Sequence, residues 1–164
     1  VRGVKGRVEV VESDCDFTMI IDYAHTPDEL LNVTKMLNTI KSGRLGTLFG
    51  CGGDRDKTKR SVMGKIAAEN SDFVIVTSDN PRSENPMDII NTILEGVKEC
   101  DTPYVVIENR KEAIEYAINN AQKNDVILFA GKGHETYQVL STGTVHFDER
   151  EVIAEVLAKN SVNK

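Results

Sequence analysis

The chain has 164 residues, the size of one domain with a single core, and its 40% hydrophobic and 28% charged residues are typical of a globular protein. Its net charge of −6 argues against nucleic acid or an anionic membrane surface as the main partner. We expect no signal peptide from its first residues, and it contains no apolar run near the ~20 residues that a membrane helix needs. Because it opens on Val1 and is short for a multi-substrate enzyme, we expect a segment excised from a longer protein.

The three cysteines, Cys15, Cys51 and Cys100, are far apart and odd in number. They form neither a CxxC pair nor a disulfide framework, so we expect a reducing, cytoplasmic environment. A nucleophilic role for Cys51, which lies in a glycine-rich segment, is disfavoured because no histidine–acid arrangement accompanies it.

Short apolar runs and alternating patterns predict strands at residues 7–11, 17–21, 45–50, 73–77, 104–107 and 126–130. Apolar residues at helical spacing predict five helices, whose apolar faces begin at Leu30, Val62, Ile89, Ala113 and Val152. Capping signals precede four of them, at Thr26-Pro27, Asn85-Pro86, Asn109 and Asp148. Residues 141–144 predict a turn between two late strands.

Alternation of strands and helices predicts a mostly parallel sheet with helices on both faces. Residues 12–16 are too few for a crossover helix, so the first two strands should pair antiparallel at an edge. The predicted fold is therefore an α/β, Rossmann-like three-layer sandwich around a six-stranded sheet, with residues 1–164 forming one domain.

Glycines and charged residues collect directly after four of the predicted strands. These segments are 22–27 (DYAHTP), 50–57 (GCGGDRDK), 78–82 (SDNPR) and 131–135 (GKGHE). In a parallel sheet all four leave the same carboxyl edge, which is where open α/β sheets bind ligands. The sequence therefore predicts a binding site at this edge.

The glycine-rich segment 50–57 matches neither common nucleotide-binding motif. No Gly-Lys-Ser/Thr follows at the spacing of a Walker A loop, and Arg55 occupies the third glycine position of G-x-G-x-x-G. These mismatches disfavour a P-loop or a dinucleotide-binding oxidoreductase. The charge run 54–60 indicates a partly solvated helix start, in which Arg55 is the best candidate for a functional residue.

The segment Asp79-Asn80-Pro81-Arg82 suits a ligand that carries both charges. Arg82 offers a planar fork for a carboxylate, and Pro81 stiffens the segment. Asp79 and Glu135 could take an ammonium group, so a zwitterion fits better than a phosphate. Glycines on both sides of Lys132 allow the backbone to approach a ligand closely.

Each of these segments also has a purely structural interpretation. Asp22 could end its strand, His25 could sit near a helix cap, and the glycines of 50–57 could form a tight turn. Segment 79–82 could be an ordinary turn, because Asn-Pro is a turn signal, and 131–135 a hairpin entry. His146, in the last predicted strand, is interpreted as structural or solvent-facing.

Together with Gly6-Arg7-Val8-Glu9, the four segments resemble the C-terminal domain of the Mur ligases. More narrowly, they resemble the branch that adds the third residue of the peptidoglycan peptide. The resemblance implies the last third of a three-domain enzyme, whose N-terminal UDP-sugar domain and central ATPase domain lie outside this chain.

The resemblance implies a cytoplasmic, monomeric, ATP-dependent peptide ligase of peptidoglycan biosynthesis. ATP phosphorylates the terminal carboxylate of the UDP-N-acetylmuramoyl-dipeptide, and the amine of meso-diaminopimelate attacks the acyl phosphate. ATP and Mg²⁺ are bound mainly by the central domain, so the resemblance assigns this chain no metal site and no catalytic residue, and implies that the chain is inactive alone.

The resemblance also implies roles for individual residues. Those expected to bind meso-diaminopimelate are Arg55, Asp79, Asn80, Pro81, Arg82, Gly131 and Glu135. Those expected to contact the nucleotide are Arg7, Asp22 and His25, with Lys132 and His134 as supporting residues. Lysine lacks the distal carboxylate, so it would leave Arg82 without its partner, and a site built this way rejects such an analogue.

Two rival functions remain at this point. A folylpolyglutamate synthetase C-terminal domain shares the fold and chemistry, but segment 79–82 speaks against it. A stand-alone module that binds a nucleotide or amino acid without chemistry is the second rival. A Gly-Lys-Thr/Ser motif upstream of Val1 would favour the ligase, and a natural start there would favour the module.

Overall fold

A computed structural model describes residues 6–162 of the chain. The expected excision point at Val1 lies outside this range. The strands are β1 Glu9–Val10, β2 Thr18–Asp22, β3 Leu45–Phe49, β4 Phe73–Val76, β5 Tyr104–Val106, β6 Val126–Ala130, β7 Tyr137–Leu140 and β8 Gly143–His146. The helices are α1 Pro27–Ile40, α2 Thr58–Asn70, α3 Pro86–Val97, α4 Arg110–Asn119 and α5 Glu149–Val162.

Six strands form one sheet in the order β1-β2-β6-β3-β4-β5. Every neighbouring pair is parallel except β1 and β2, which pair antiparallel at the edge. This confirms the predicted mostly parallel sheet with an antiparallel edge strand. The carboxyl ends of β2, β3, β4 and β6 therefore lie side by side, as the site prediction requires.

Helices cover both faces of the sheet and bury a hydrophobic cluster on each. On one face α1, α2 and α3 pack against alternate strand residues, with Leu30, Met63 and Ile90 at the centre. On the other face α4 and α5 pack through Ile114 and Ile153. The two clusters confirm the three-layer sandwich.

The predicted capping residues start their helices. The Thr26 hydroxyl accepts a hydrogen bond from the Glu29 amide at 3.2 Å, with Pro27 in the first turn of α1. The Asn85 and Asn109 side chains accept from backbone amides at the starts of α3 and α4. Asp148 accepts from the Arg150 amide at 2.9 Å as α5 begins.

Strands β7 and β8 form a separate antiparallel hairpin after the main sheet. The predicted turn at 141–144 is confirmed, although β8 already begins at Gly143. His146 is exposed, and its ring nitrogen lies 2.9 Å from a Glu151 carboxylate oxygen. It is therefore a surface residue, as expected.

Besides one-residue shifts at the ends of other strands, three details differ from the sequence predictions. Strand β1 has two residues rather than five, because Val8 adopts a left-handed φ of 46° that interrupts the extended backbone. Asp22 is the last residue of β2 rather than part of the following loop, since it pairs with Ala130. The charge run 54–60 ends inside the protein, where Arg60 is only 2% exposed.

No helix within residues 6–162 combines the length and apolar character that crossing a membrane requires.

Candidate functional site

A cleft of about 460 Å³ opens at the carboxyl edge of the sheet. The predicted residues that line it are His25, Arg55, Asp79, Asn80, Arg82, Gly131 and Glu135. The other predicted residues, Arg7, Asp22, Pro81, Lys132 and His134, are outside this lining. The structure thus brings all of the expected amino-acid-binding residues except Pro81 together, with His25 at the same cleft.

Arg82 presents part of its guanidinium to the cleft from a constrained backbone. Its φ is +53°, a left-handed conformation that is costly for a residue other than glycine. Its amide donates to the Val139 carbonyl at 3.0 Å, and its Nη1 donates to the Gly53 carbonyl at 2.9 Å. Its Nε and Nη2 make no hydrogen bond to any residue from 6 to 162, so two donors remain for a carboxylate.

Asn80 is only 4% exposed, and its side-chain oxygen faces the protein. That oxygen accepts from Lys132 Nζ at 2.6 Å and from the Val139 amide at 2.9 Å. The Asn80 carbonyl accepts from the Gly53 amide at 2.8 Å. Asn80 therefore fixes the loop between Asp79 and Arg82 on three sides.

Two glycines of the segment 50–57 allow it to lie directly against the loop after β4. A Cβ on Gly50 would lie 2.2 Å from the Thr77 carbonyl oxygen, and one on Gly53 would lie 1.9 Å from that of Pro81. Pro81 is buried behind the cleft at this contact. The glycines thus serve close backbone packing, and not only the tight turn that the sequence allowed.

Arg60 is a functional-site residue that the sequence did not single out. Its guanidinium lines the cleft and donates to the Glu84 carboxylate at 2.6 and 3.1 Å and to the Gly52 carbonyl at 3.1 Å. Its hydrogen bonds lower the pKa of Glu84 to about 2. This pair clamps α2 to the loop before α3.

Arg110 was also missed, and it supports the cleft from below. It is 1% exposed and pairs with Glu149 through Nε at 2.9 Å. Its two terminal nitrogens donate to the carbonyls of Ser78 and Ala130, each at 3.0 Å. These carbonyls come directly before Asp79 and Gly131, so Arg110 sets the spacing of the two loops.

Lys132 is fully buried beneath the loop that follows β6. Its Nζ lies 3.0 Å from Asp79 Oδ1 and 3.5 Å from Glu135 Oε1. Tyr23 lines the cleft beside this cluster, and its pKa is raised by burial and by the negative charge of Glu135. The acidic side of the cleft is therefore compensated by one buried ammonium.

The residues expected to bind a nucleotide lie along the rim beside β2. Asp22 accepts from the Val8 amide at 2.7 Å and from the Ala24 amide at 2.8 Å. Arg7, which precedes Val8, is exposed. His25 is exposed, with Nδ1 2.8 Å from the Tyr23 carbonyl oxygen. The backbone hydrogen bonds to Asp22 also fit a purely structural role for this residue at the end of its strand.

Cys51 is unsuited to nucleophilic attack at neutral pH. Burial, followed by the charge of Asp79, raises the pKa of its thiol to about 12. Its sulfur lies 3.8 Å from that of Met63. Among residues 6–162 no group of three or more His, Cys, Asp and Glu side chains could hold a metal ion.

The sequence model of the Mur ligase, glutamate ligase domain family matches residues 6–133. The chain belongs to this family. A UDP-N-acetylmuramoyl-L-alanyl-D-glutamate–2,6-diaminopimelate ligase of Caldanaerobacter subterraneus subsp. tengcongensis is 57% identical over 157 residues, covering 96% of this chain and 33% of the relative. A ligase of the same name from Listeria monocytogenes is 53% identical, covering 90% of this chain and 30% of the relative.

Comparison with solved structures also finds a ligase of this name. One described as a UDP-N-acetylmuramoyl-L-alanyl-D-glutamate–2,6-diaminopimelate ligase superposes with a TM-score of 0.90 at 37% identity, covering 98% of this chain and 33% of that chain. A folylpolyglutamate synthase/dihydrofolate synthase of Yersinia pestis superposes at 0.62 with 18% identity, over 97% of this chain and 32% of that one, which shows the shared fold alone. The chain spans about a third of the length of the curated relatives it matches.

Proposed function

We propose that this chain is the C-terminal, amino-acid-binding domain of a cytoplasmic, monomeric ligase that adds meso-diaminopimelate to UDP-N-acetylmuramoyl-L-alanyl-D-glutamate. The observation that carries the proposal is the cleft itself. It combines an arginine fork having two unused donors with two carboxylates, in a chain 57% identical to a ligase of that name.

The cleft suits the distal end of meso-diaminopimelate, which carries an ammonium and a carboxylate on one carbon. The Nε and Nη2 groups of Arg82 would bind the distal carboxylate, as an arginine fork suits that group. Arg55 is exposed and lines the same cleft, where its side chain approaches Gly52 as that of Arg82 does, and it would take another carboxylate of the same ligand. Glu135 and the Gly131 carbonyl would accept the distal ammonium.

The chemistry proposed for the whole ligase is formation of an amide bond at the expense of ATP. The terminal carboxylate of the dipeptide would be phosphorylated, and the free amine of meso-diaminopimelate would displace phosphate. This domain would contribute recognition and orientation of the amine, while Arg7, Asp22 and His25 would meet the nucleotide across the rim. The described residues offer no cluster for Mg²⁺, so we assign its binding to the rest of the ligase.

Two alternatives are weaker. The free Arg82 donors in segment 79–82 speak against a folylpolyglutamate synthetase, and solved structures of such proteins are only 17–21% identical to this chain. A stand-alone binding module is disfavoured because the related ligases contain this domain as one third of a longer chain.

The proposal is tested in the full-length protein that contains this chain. We expect Arg82→Ala to raise the KM for meso-diaminopimelate by about tenfold to a hundredfold, the size of a lost hydrogen bond to a charged group. The KM for ATP should stay within about twofold, because Arg82 lies on the amino-acid side of the cleft. Unchanged amino-acid kinetics would refute the assignment of Arg82.

Ligand specificity gives a second test. Calorimetric titration of the full-length wild-type protein should show binding of meso-diaminopimelate and much weaker binding of L-lysine, which leaves the Arg82 donors unpaired. The 164-residue chain alone should form no peptide product. Product formation by the chain alone, or equal affinity for the two amino acids, would contradict the proposal.

A further inference from the structure

The ammonium of Lys132 occupies a dry junction between the two ligand loops and β7. The side chain has no exposed surface, and Nζ donates to Asn80 Oδ1 at 2.6 Å and to the Tyr137 carbonyl at 2.8 Å. Two of the three ammonium donors are thus used in hydrogen bonds, and the group also forms an ion pair with Asp79 Oδ1, at 3.0 Å.

The same ammonium compensates one oxygen of each carboxylate in the cleft. Asp79 Oδ1 and Glu135 Oε1 are buried, and neither accepts a hydrogen bond from any residue between 6 and 162. Lys132 Nζ lies within 3.5 Å of both oxygens. Since buried charges need a partner, these two oxygens depend on Lys132.

The other oxygen of each carboxylate has different surroundings. Asp79 Oδ2 is the nearest atom, at 3.7 Å, to the point where a Cβ on Gly131 would sit. Gly131 has φ +113°, so a side chain is disfavoured there and the space beside Asp79 stays open. Glu135 Oε2 receives a long, 3.4 Å hydrogen bond from the Tyr137 hydroxyl.

We propose, resting on the function proposed above, that Lys132 is the positioning residue for amino-acid recognition. It leaves one net negative charge on the Asp79–Glu135 side of the cleft, which matches the single ammonium at the distal end of the ligand. Through Asn80 it also holds the loop that carries Arg82. Without Lys132, the two carboxylates would face each other across a buried gap and repel.

The first test is a cycle of variants measured by thermal unfolding of the 164-residue chain. Lys132→Met should lower the midpoint by about 10 °C, because it leaves buried charges without their partner. Asp79→Asn alone should also lower it. Added to Lys132→Met, however, Asp79→Asn should raise the midpoint, because it removes one of the two repelling charges.

This reversal of sign separates a charge-balancing role from simple packing. A packing role predicts that Asp79→Asn lowers the midpoint in both backgrounds, and that result would overturn the proposal. Where Lys132→Met alone leaves no folded chain, a folded double variant supports the proposal and an unfolded one contradicts it. Lys111→Met, at an exposed lysine of α4, is the matched control and should leave the midpoint nearly unchanged.

The second test is kinetic and uses the full-length protein. Lys132→Met should raise the KM for meso-diaminopimelate at least about tenfold and change the KM for ATP less than about twofold. Lys132→Arg, which keeps the charge, should recover part of the loss. A proportional rise in both KM values, or none, would overturn the positioning role. A wild-type protein that does not use meso-diaminopimelate would instead refute the proposed function, while the unfolding cycle would still decide the role of Lys132.

Discussion

The two sides of the cleft are built differently. On the side proposed to bind the amino acid, Asn80 and Lys132 are at most 4% exposed, and each makes several contacts that cross between loops. On the side proposed to bind the nucleotide, Arg7 and His25 are exposed. The amino-acid side is therefore preorganised, whereas the nucleotide side offers single side chains that need an opposing surface.

This difference follows from where the charges are buried. Arg60, Arg110 and Lys132 all lie under the amino-acid side and each carries hydrogen bonds to backbone carbonyls or carboxylates. A buried ion costs desolvation energy unless its partners are well placed, so each fixes the loops around it. We expect that changes under the amino-acid side will lower both stability and the affinity for meso-diaminopimelate, and that changes to the exposed Arg7 and His25 on the nucleotide side will leave both nearly unchanged.

The largest effect should come from Arg110→Met. It removes two hydrogen bonds to the carbonyls that precede Asp79 and Gly131, and it leaves the fully buried Glu149 without its cation. We expect a loss of about 3–5 kcal/mol in the free energy of unfolding. Chemical denaturation of the chain measures it, with the exposed Lys111→Met as control. A loss below about 1 kcal/mol would show that Arg110 does not support the loops.

Gly53→Ala should have the next largest effect. Its Cβ would lie 1.9 Å from the Pro81 carbonyl oxygen, and neither backbone can move without separating the two loops. We expect a loss of about 2 kcal/mol in the free energy of unfolding, together with weaker binding of meso-diaminopimelate by the full-length protein.

Gly52→Ala is the matched control for Gly53→Ala. Its Cβ would meet Arg82 Nη1 at 2.8 Å, which is the flexible end of a side chain. We expect stability to change little while affinity for meso-diaminopimelate falls, because Arg82 must move. Equal stability losses at both glycines would contradict the close packing described for Gly53.

The sequence was sufficient to predict the sheet but not the buried charged residues that support the cleft. Apolar runs and helix caps report burial and chain direction locally, so the six strands and the four loops at the carboxyl edge were predictable. Arg110 and Glu149, in contrast, are 39 residues apart, and each looks like a solvated residue at a helix start. Only the fold brings these two residues together. A charged residue at a helix start therefore cannot be assigned to the core from the sequence alone.

Acid should weaken the clamp at Arg60 selectively. The pKa of Glu84 is lowered from 4.5 to about 2, chiefly by hydrogen bonds from Arg60, so the ionised form is favoured in the folded chain. Its contribution is complete above pH 4.5 and is lost as the pH falls toward 2. Glu84→Gln should therefore be less stable than wild type at neutral pH, and this difference should shrink as the pH falls through that window. Glu155→Gln, at an exposed carboxylate, should show no such convergence in denaturation curves.

The smallest effect should come from His25→Ala on the nucleotide side. The exposed ring contacts only the Tyr23 carbonyl, Glu29 and the Tyr23 ring among the described residues, so the free energy of unfolding should change by less than about 1 kcal/mol. In the full-length protein the KM for ATP should rise while that for meso-diaminopimelate stays within about twofold. Because His25 lines the same cleft as Arg82, its substitution could also have weakened the binding of meso-diaminopimelate, and the measurement distinguishes the two outcomes. If His25→Ala instead weakened meso-diaminopimelate binding as much as Arg82→Ala does, the two sides would be one site, and the division between a preorganised side and an open side would fail.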